Sequence, residues 1–167
     1  SQDRFSSKVQ VFYELVIYLV HVLDGGMKAW KDAGHPLSSS TPEHPPGVFD
    51  TEVVAWDTVS LAEVAERGNT VLLDARAPER FRGDIEPADP VAGHIPGAVC
   101  APFGENLDGA TGRFRSAADL RQRFNGLGAT AAGDTICYCG SGVTAAHNIL
   151  AMVHAGFPEP ALYPGSW

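Results

Sequence analysis

Two rhythms of apolar positions run along this chain. Short runs bounded by turn residues, Thr70-Val71-Leu72-Leu73-Asp74, Ala98-Val99-Cys100, Thr135-Ile136-Cys137-Tyr138 and Ala161-Leu162-Tyr163, have the length and β-branched or aromatic content of buried strands. Between them, apolar residues recur at helical spacing from about Ser60 to Arg67, near Ala117 to Asn125, and from about Thr144 to Ala155. Strands that alternate with helices predict an α/β fold, a parallel sheet covered by helices on both faces. The interval from Asp74 to Ala98 reads as one long polar loop. In such sheets ligands gather beyond the carboxyl ends of the strands. Asp74-Ala75-Arg76 and the segment that starts at Cys139 both fall there, which is the reason to link them.

The first forty residues follow a different pattern. A helical run around Val11 to Leu19 leads into a strand-like His21-Val22-Leu23-Asp24, then Gly25-Gly26 and a predicted helix from Met27 to Ala33, ended at Gly34 with Pro36 behind it. No turn residues separate the first helix from the strand at Val20-His21, as though a loop were missing. A stretch of this length cannot close a core alone. Ser38 to Gly47, rich in Ser and Pro, reads as a linker.

Composition narrows the function classes. The 167 residues can hold one ordinary domain and part of another, and 44% are hydrophobic and 19% charged, as in a soluble globular protein. The apolar run Val9 to Leu23 is broken by Glu14 and His21, so no stretch approaches the roughly 18 apolar residues of a membrane span. Without a signal-peptide pattern, the cytoplasm is the expected location. A net charge of −8 argues against nucleic acid or an anionic membrane surface as a partner. Three cysteines describe no disulfide framework, and the single residue between Cys137 and Cys139 is not zinc-ligand spacing, so no metal and no cofactor is expected.

The chemistry concentrates at Cys139-Gly140-Ser141-Gly142-Val143-Thr144-Ala145, where a strand turns into a helix. Such a turn leaves several N–H groups without intrahelical partners, and two glycines let them fold inward around an anion. A thiolate is favoured at that positive helix end, which makes Cys139 the candidate nucleophile. Gly140, Ser141, Gly142, Val143 and Thr144 are the candidate N–H donors, with the Ser141 and Thr144 hydroxyls available to sulfur or to a leaving group. Thr144 also suits an ordinary helix N-cap, and both roles can hold at once. The reading requires that residue 139 be reachable from solvent and that its neighbours' amides face the sulfur.

The motifs Leu73-Asp74-Ala75-Arg76, Arg80-Phe81-Arg82-Gly83, Gly93-His94-Ile95-Pro96-Gly97-Ala98, the Cys139 loop, and Leu162-Tyr163-Pro164-Gly165-Ser166-Trp167, in this order, resemble the rhodanese family of sulfurtransferases. The match is to the carboxyl-terminal, catalytic domain of a tandem-domain enzyme. Val22 to Trp30 resembles the end of the family's first, non-catalytic domain. The resemblance implies a remnant of that domain at 1–37, a linker at 38–50 and a catalytic rhodanese-like domain at 51–167. It implies that Cys139 takes a sulfane sulfur from a small-molecule donor, becomes a persulfide, and passes the sulfur to a thiol acceptor such as thioredoxin, or to cyanide.

By the same resemblance the Gly140-Ser141 pair is closer to the mercaptopyruvate type than to thiosulfate enzymes. Arg80 matches the family's substrate arginine, with Arg76 and Arg82 in reserve, and Gly83 to Ala92 lacks the second arginine usual in mercaptopyruvate enzymes. Asp74 is expected behind the site, accepting backbone N–H bonds in the turn after its strand. His94 reads as a structural histidine, His147 and His154 as helix-face residues, Cys100 and Cys137 as small buried hydrophobes, and Trp30, Trp56 and Trp167 as packing residues. Two rivals remain: a rhodanese-like scaffold without activity, and a Cys-loop phosphatase or arsenate reductase. The second needs an arginine six residues after the cysteine to clamp an oxyanion, and position 145 is Ala.

Overall fold

In the computed structural model the described residues are 21–43, 45 and 57–167. They form two units, one of residues 21–43 and 45 with 109–113, the other of 57–108 with 114–167. The predicted helix over Val11 to Leu19 and Trp56 lie outside the described residues.

Among the described residues the first unit holds one helix, α1 (Gly26–Asp32), which buries none of its residues. Trp30 donates from its indole nitrogen to the Pro36 carbonyl at 2.9 Å and packs on His35, folding the chain back after the helix. His21 to Asp24, predicted as a strand, is not in a strand and leaves Val22 and Leu23 more than half exposed. A strand needs a neighbour to bond with, and among the described residues no strand pairs with this segment. Residues 38–43 and 45 carry neither helix nor strand.

The second unit is built on a four-stranded parallel sheet of β1 (Val71–Asp74), β2 (Val99–Cys100), β3 (Thr135–Tyr138) and β4 (Ala161–Leu162), in the order β2-β1-β3-β4. Thr58 bridges Leu162 in parallel at the β4 edge. Side chains alternate between faces as the strand period demands. Leu73, Cys137 and Cys139 enter one core with α4 (Ala117–Gly126) and α5 (Val143–His154), where Leu120, Phe124, Ala145, Ile149 and Met152 pack. Leu72, Ile136 and Tyr138 point the other way, against Val64 of α2 (Leu61–Ala65) and Tyr163. Both faces are therefore covered, and nearly continuous apolar strands follow from that burial.

Local signals set the helix ends. Ser60 and Glu63 form a capping box at α2: the Ser60 amide donates to Glu63 Oε2 at 2.7 Å, and the Glu63 amide donates to Ser60 Oγ. Ser116 accepts from the Asp119 amide at the start of α4. Two elements escape the apolar pattern: a one-turn helix, α3 (Pro78–Arg82), and a 3₁₀ turn at Phe103–Asn106. The turn α3 starts with Pro in its favoured first position and buries none of its residues, so it carries no apolar stripe to read. It ends at Gly83, whose φ of 80° disfavours a side chain and where a Cβ would crowd the Gly93 amide nitrogen at 3.2 Å.

From β1 the chain crosses to β2 on one side, while β3 pairs on the other, so the carboxyl ends of β1 and β3 flank the point where the sheet changes direction. Asp74 lies opposite Tyr138 in the ladder, and the Ala75 amide donates to the Tyr138 carbonyl at 2.9 Å. The turn after β1 and the Cys139 loop thereby emerge side by side.

Candidate active site

Cys139 follows the last residue of β3, and Gly142, at φ 84°, takes the left-handed turn that opens α5. That turn aims main-chain donors at the sulfur. Sγ of Cys139 accepts from the amides of Gly142 at 3.0 Å and Ser141 at 3.4 Å. Burial works against the thiolate, but the Thr144 hydroxyl and the amides of Ser141, Ala145 and Thr144 outweigh it, and the thiol titrates below its ordinary value. The Ala145 amide is a donor that the sequence reading omits; it becomes visible only once α5 is seen to begin at Val143. Val143 is instead 73% exposed at the outer edge of the loop.

The amides thus face the sulfur, but access differs from expectation. Cys139 is only 2% exposed, whereas an open sulfur was required by the sequence reading. Arg80 and Asp89 crowd the next residue, Gly140, where a methyl group would touch both terminal nitrogens of Arg80 at 3.4 Å and Asp89 Oδ2 at 3.7 Å. Arg80, carried on α3, lies across the loop.

Arg80 does not stand alone. Its Nε and Nη2 donate to the two oxygens of Glu86 at 3.2 and 2.7 Å, and Nη2 also donates to Asp89 Oδ2 at 2.7 Å. Glu86 accepts further bonds from the amides of Ala88 and Asp89. The Arg80 hydrogen bond is the chief cause that holds its carboxyl down at about 2. Neither acid was singled out from the sequence. The available signal was two carboxylates, each within one residue of a proline, in a segment facing three arginines.

Arg76 takes a different place from the one expected. Its side chain is 1% exposed, its Nε and Nη2 donate to both oxygens of Asp74 at 2.7 to 3.1 Å, and Nη2 also donates to the Gly93 carbonyl. Nη1 reaches Glu86 at 3.4 Å, and the guanidinium lies 5.1 Å from the Trp167 ring. With its side chain 1% exposed and its guanidinium tied to Asp74, Gly93 and Glu86, Arg76 is out of a substrate's reach and is withdrawn from donor binding: it is a strut. Arg82, the other reserve, is more than half exposed and pairs with Asp84. Asp74, fully buried, accepts from the Arg76 amide at 2.9 Å in the turn anticipated for it.

Three further side chains frame the site. Tyr138 accepts from the Ile95 amide through its hydroxyl, and burial raises its pKa well above the ordinary value. The Trp167 amide donates to the Cys139 carbonyl at 2.9 Å and its indole to the Val91 carbonyl at 2.7 Å, which joins the Cys139 loop to the 84–91 segment. His94 bonds the Phe81 carbonyl through Nδ1 and stacks on the Phe81 ring, a structural placement. On the far side His147 meets Asn106, and Cys137 is buried in the core, its thiol pushed up to about 12 by that burial.

Comparison with known proteins agrees with this architecture. Residues 57–167 match the family model of the rhodanese-like domain. A Pseudomonas aeruginosa protein named a probable 3-mercaptopyruvate sulfurtransferase is 49% identical over 152 residues, covering 89% of this chain and 53% of its own length. The thiosulfate sulfurtransferase of Gallus gallus is 31% identical, covering 89% of this chain and 52% of that protein. The crystal structure of the 3-mercaptopyruvate sulfurtransferase SseA from Escherichia coli superposes with a TM-score of 0.73 at 31% identity, over 86% of this chain and 55% of that one. The chain spans about half the length of the relatives it matches. On the strength of the family match over the whole sheet and its loops, the chain belongs to the rhodanese family.

Proposed function

We propose that this chain is a sulfurtransferase that carries a sulfane sulfur on Cys139, taken from 3-mercaptopyruvate or thiosulfate and delivered to a thiol such as that of thioredoxin, or to cyanide. One observation carries the reading: the Thr144 hydroxyl and successive loop amides converge on a single sulfur and favour its anion. The same donors suit a persulfide anion, so both resting states are stabilised without a metal.

With 3-mercaptopyruvate, the Cys139 thiolate attacks the donor sulfur. An S–S bond forms as the donor's C–S bond breaks, and the electron pair leaves on carbon as the enolate of pyruvate, which takes a proton from water. With thiosulfate the leaving group is sulfite. In either case an acceptor thiolate or cyanide then attacks the outer sulfur and returns Cys139 to its thiolate. Arg80 is the cation over the loop, and its planar fork suits a donor carboxylate. The names of relatives support both donors, and the small Gly140-Ser141 pair supports the organic one. The remnant domain at 1–37 and the linker at 38–50 belong to the same proposal, as does a catalytic domain at 51–167.

Intact-mass measurement after incubation with each donor tests it. A gain of one sulfur that disappears in Cys139→Ser is expected. No gain with either donor would favour a rhodanese-like scaffold.

A further inference from the structure

The Arg80 fork is already occupied. Three of its hydrogen bonds go to carboxylates of the same chain, yet those two carboxylates are held very differently. The Glu86 side chain is 5% exposed and is gripped by Arg80, Arg76 and two backbone amides. The Asp89 side chain is 20% exposed, and among the described residues Arg80 is the one partner of its carboxylate. Glu86 is fixed in place, whereas Asp89 is held by a single tie on the solvent side.

Position makes that tie matter. Asp89 Oδ2 lies beside the guanidinium and within van der Waals reach of a methyl group placed on Gly140, the residue after the nucleophile. Charge makes it matter further. Arg76 and Arg80 face Asp74, Glu86 and Asp89, so the cluster has two cations against three carboxylates before any thiolate is counted. An incoming carboxylate finds no unpaired cation there. It binds Arg80 by exchange, one carboxylate for another, and Asp89 is the one that can leave into water at small cost, since a partly exposed ion pair contributes little.

We propose that Asp89 is an internal carboxylate that occupies the donor's place on Arg80, beside the Cys139 loop, until a carboxylate-bearing small molecule displaces it. The idea rests on reading Arg80 as the donor-binding cation. It makes Asp89 a specificity-determining residue: it competes with carboxylate ligands for Arg80, so its removal favours them, while neutral ligands of the same size, which do not use that cation, gain less.

The test compares alkylation of Cys139 by iodoacetate and by iodoacetamide, reagents of similar size that differ in the carboxylate. Taking the ratio of the two rates removes any general change in thiol reactivity or folding. In Asp89→Asn the iodoacetate-to-iodoacetamide ratio rises about two- to fivefold, the range expected for loss of a partly exposed charge. Asp89→Glu, which keeps the carboxylate, holds the ratio near the wild-type value. In the same Asn variant the KM for 3-mercaptopyruvate falls by a similar factor. A ratio unchanged by Asp89→Asn, or a thiol that neither reagent reaches in either protein, overturns the proposal. Alkylation needs no sulfur transfer, so the two readings fail separately. A raised ratio without sulfur uptake from either donor sinks the sulfurtransferase assignment alone, and sulfur uptake with an unchanged ratio sinks the role of Asp89 alone.

Discussion

Replacing Asp74 by Asn tests whether the buried pair behind the catalytic loop holds the site together. Asp74 is fully buried and accepts from the Arg76 amide and from Nε and Nη2 of the guanidinium, while the Arg76 side chain is 1% exposed. Asn keeps the shape but removes the charge, leaving a buried cation with Glu86 at 3.4 Å and the Gly93 carbonyl as its remaining partners. Breaking a buried pair from one side costs about 3–5 kcal/mol, and the partners that remain put this case near the lower end, about 3 kcal/mol. For a unit of this size that corresponds to a fall in Tm on the order of 10 °C. Urea unfolding at neutral pH, followed by circular dichroism, reads the loss directly. The double variant Asp74→Asn with Arg76→Met removes the stranded cation and is expected to lose less than Asp74→Asn alone, although the Gly93 carbonyl then lacks its donor. A single-variant loss below about 1 kcal/mol, or a double variant worse than the single, would refute the argument that charge compensation is what Asp74 supplies.

Two other perturbations probe the loop and its cover through pH. Thr144→Val removes the hydroxyl that does most to favour the Cys139 thiolate. Because the folded thiol titrates low, thiolate is present above that depressed pKa and is lost as pH falls through it; without the hydroxyl the loss begins at higher pH. The iodoacetamide rate plotted against pH should therefore shift its inflection upward, and an unmoved profile would remove Thr144 from the anion's shell. Glu86→Gln addresses the fixed anchor. The carboxyl is held at about 2 against an ordinary 4.5, so it adds stability that is fully present above the ordinary value and fades as pH falls toward 2. The variant should show a flatter decline of Tm between those limits than the parent, and parallel declines would count against the anchor.

The parts of the fold that could be read from sequence are those where one physical rule acts without competition. β1 and β3 are doubly covered strands, so burial on both faces leaves the unbroken apolar runs Val71 to Leu73 and Ile136 to Tyr138. α4 and α5 keep their apolar stripes because each packs one side on the sheet. His21 to Asp24 has the apolar content of a strand but is not one, because among the described residues no strand of its unit pairs with it and pattern alone does not report pairing. The turn α3 escaped for the opposite reason: it is placed by Pro78, by Gly83 and by ion pairs at its end, and carries no apolar face.

The site divides along the same line. Cys139 and its amides were legible because a cysteine at a strand end before two glycines and a helix is a local arrangement, and local backbone geometry settles most of what the sulfur meets. The arginines were legible only through the family resemblance. Arg76 and Arg80 are four residues apart and chemically identical, so spacing and residue type alone do not separate them, and it is the match to the family motif that ranks Arg80 first. In the structure they part because β1 ends two residues before Arg76, which aims it inward onto Asp74, whereas α3 lifts Arg80 out over the loop. The two are then coupled through Glu86, which both grip, so the buried strut sets where the outer cation stands. An electrostatic role of this kind depends on which carboxylate reaches which guanidinium across six to ten residues of loop, and that is a property of the fold and not of the motif.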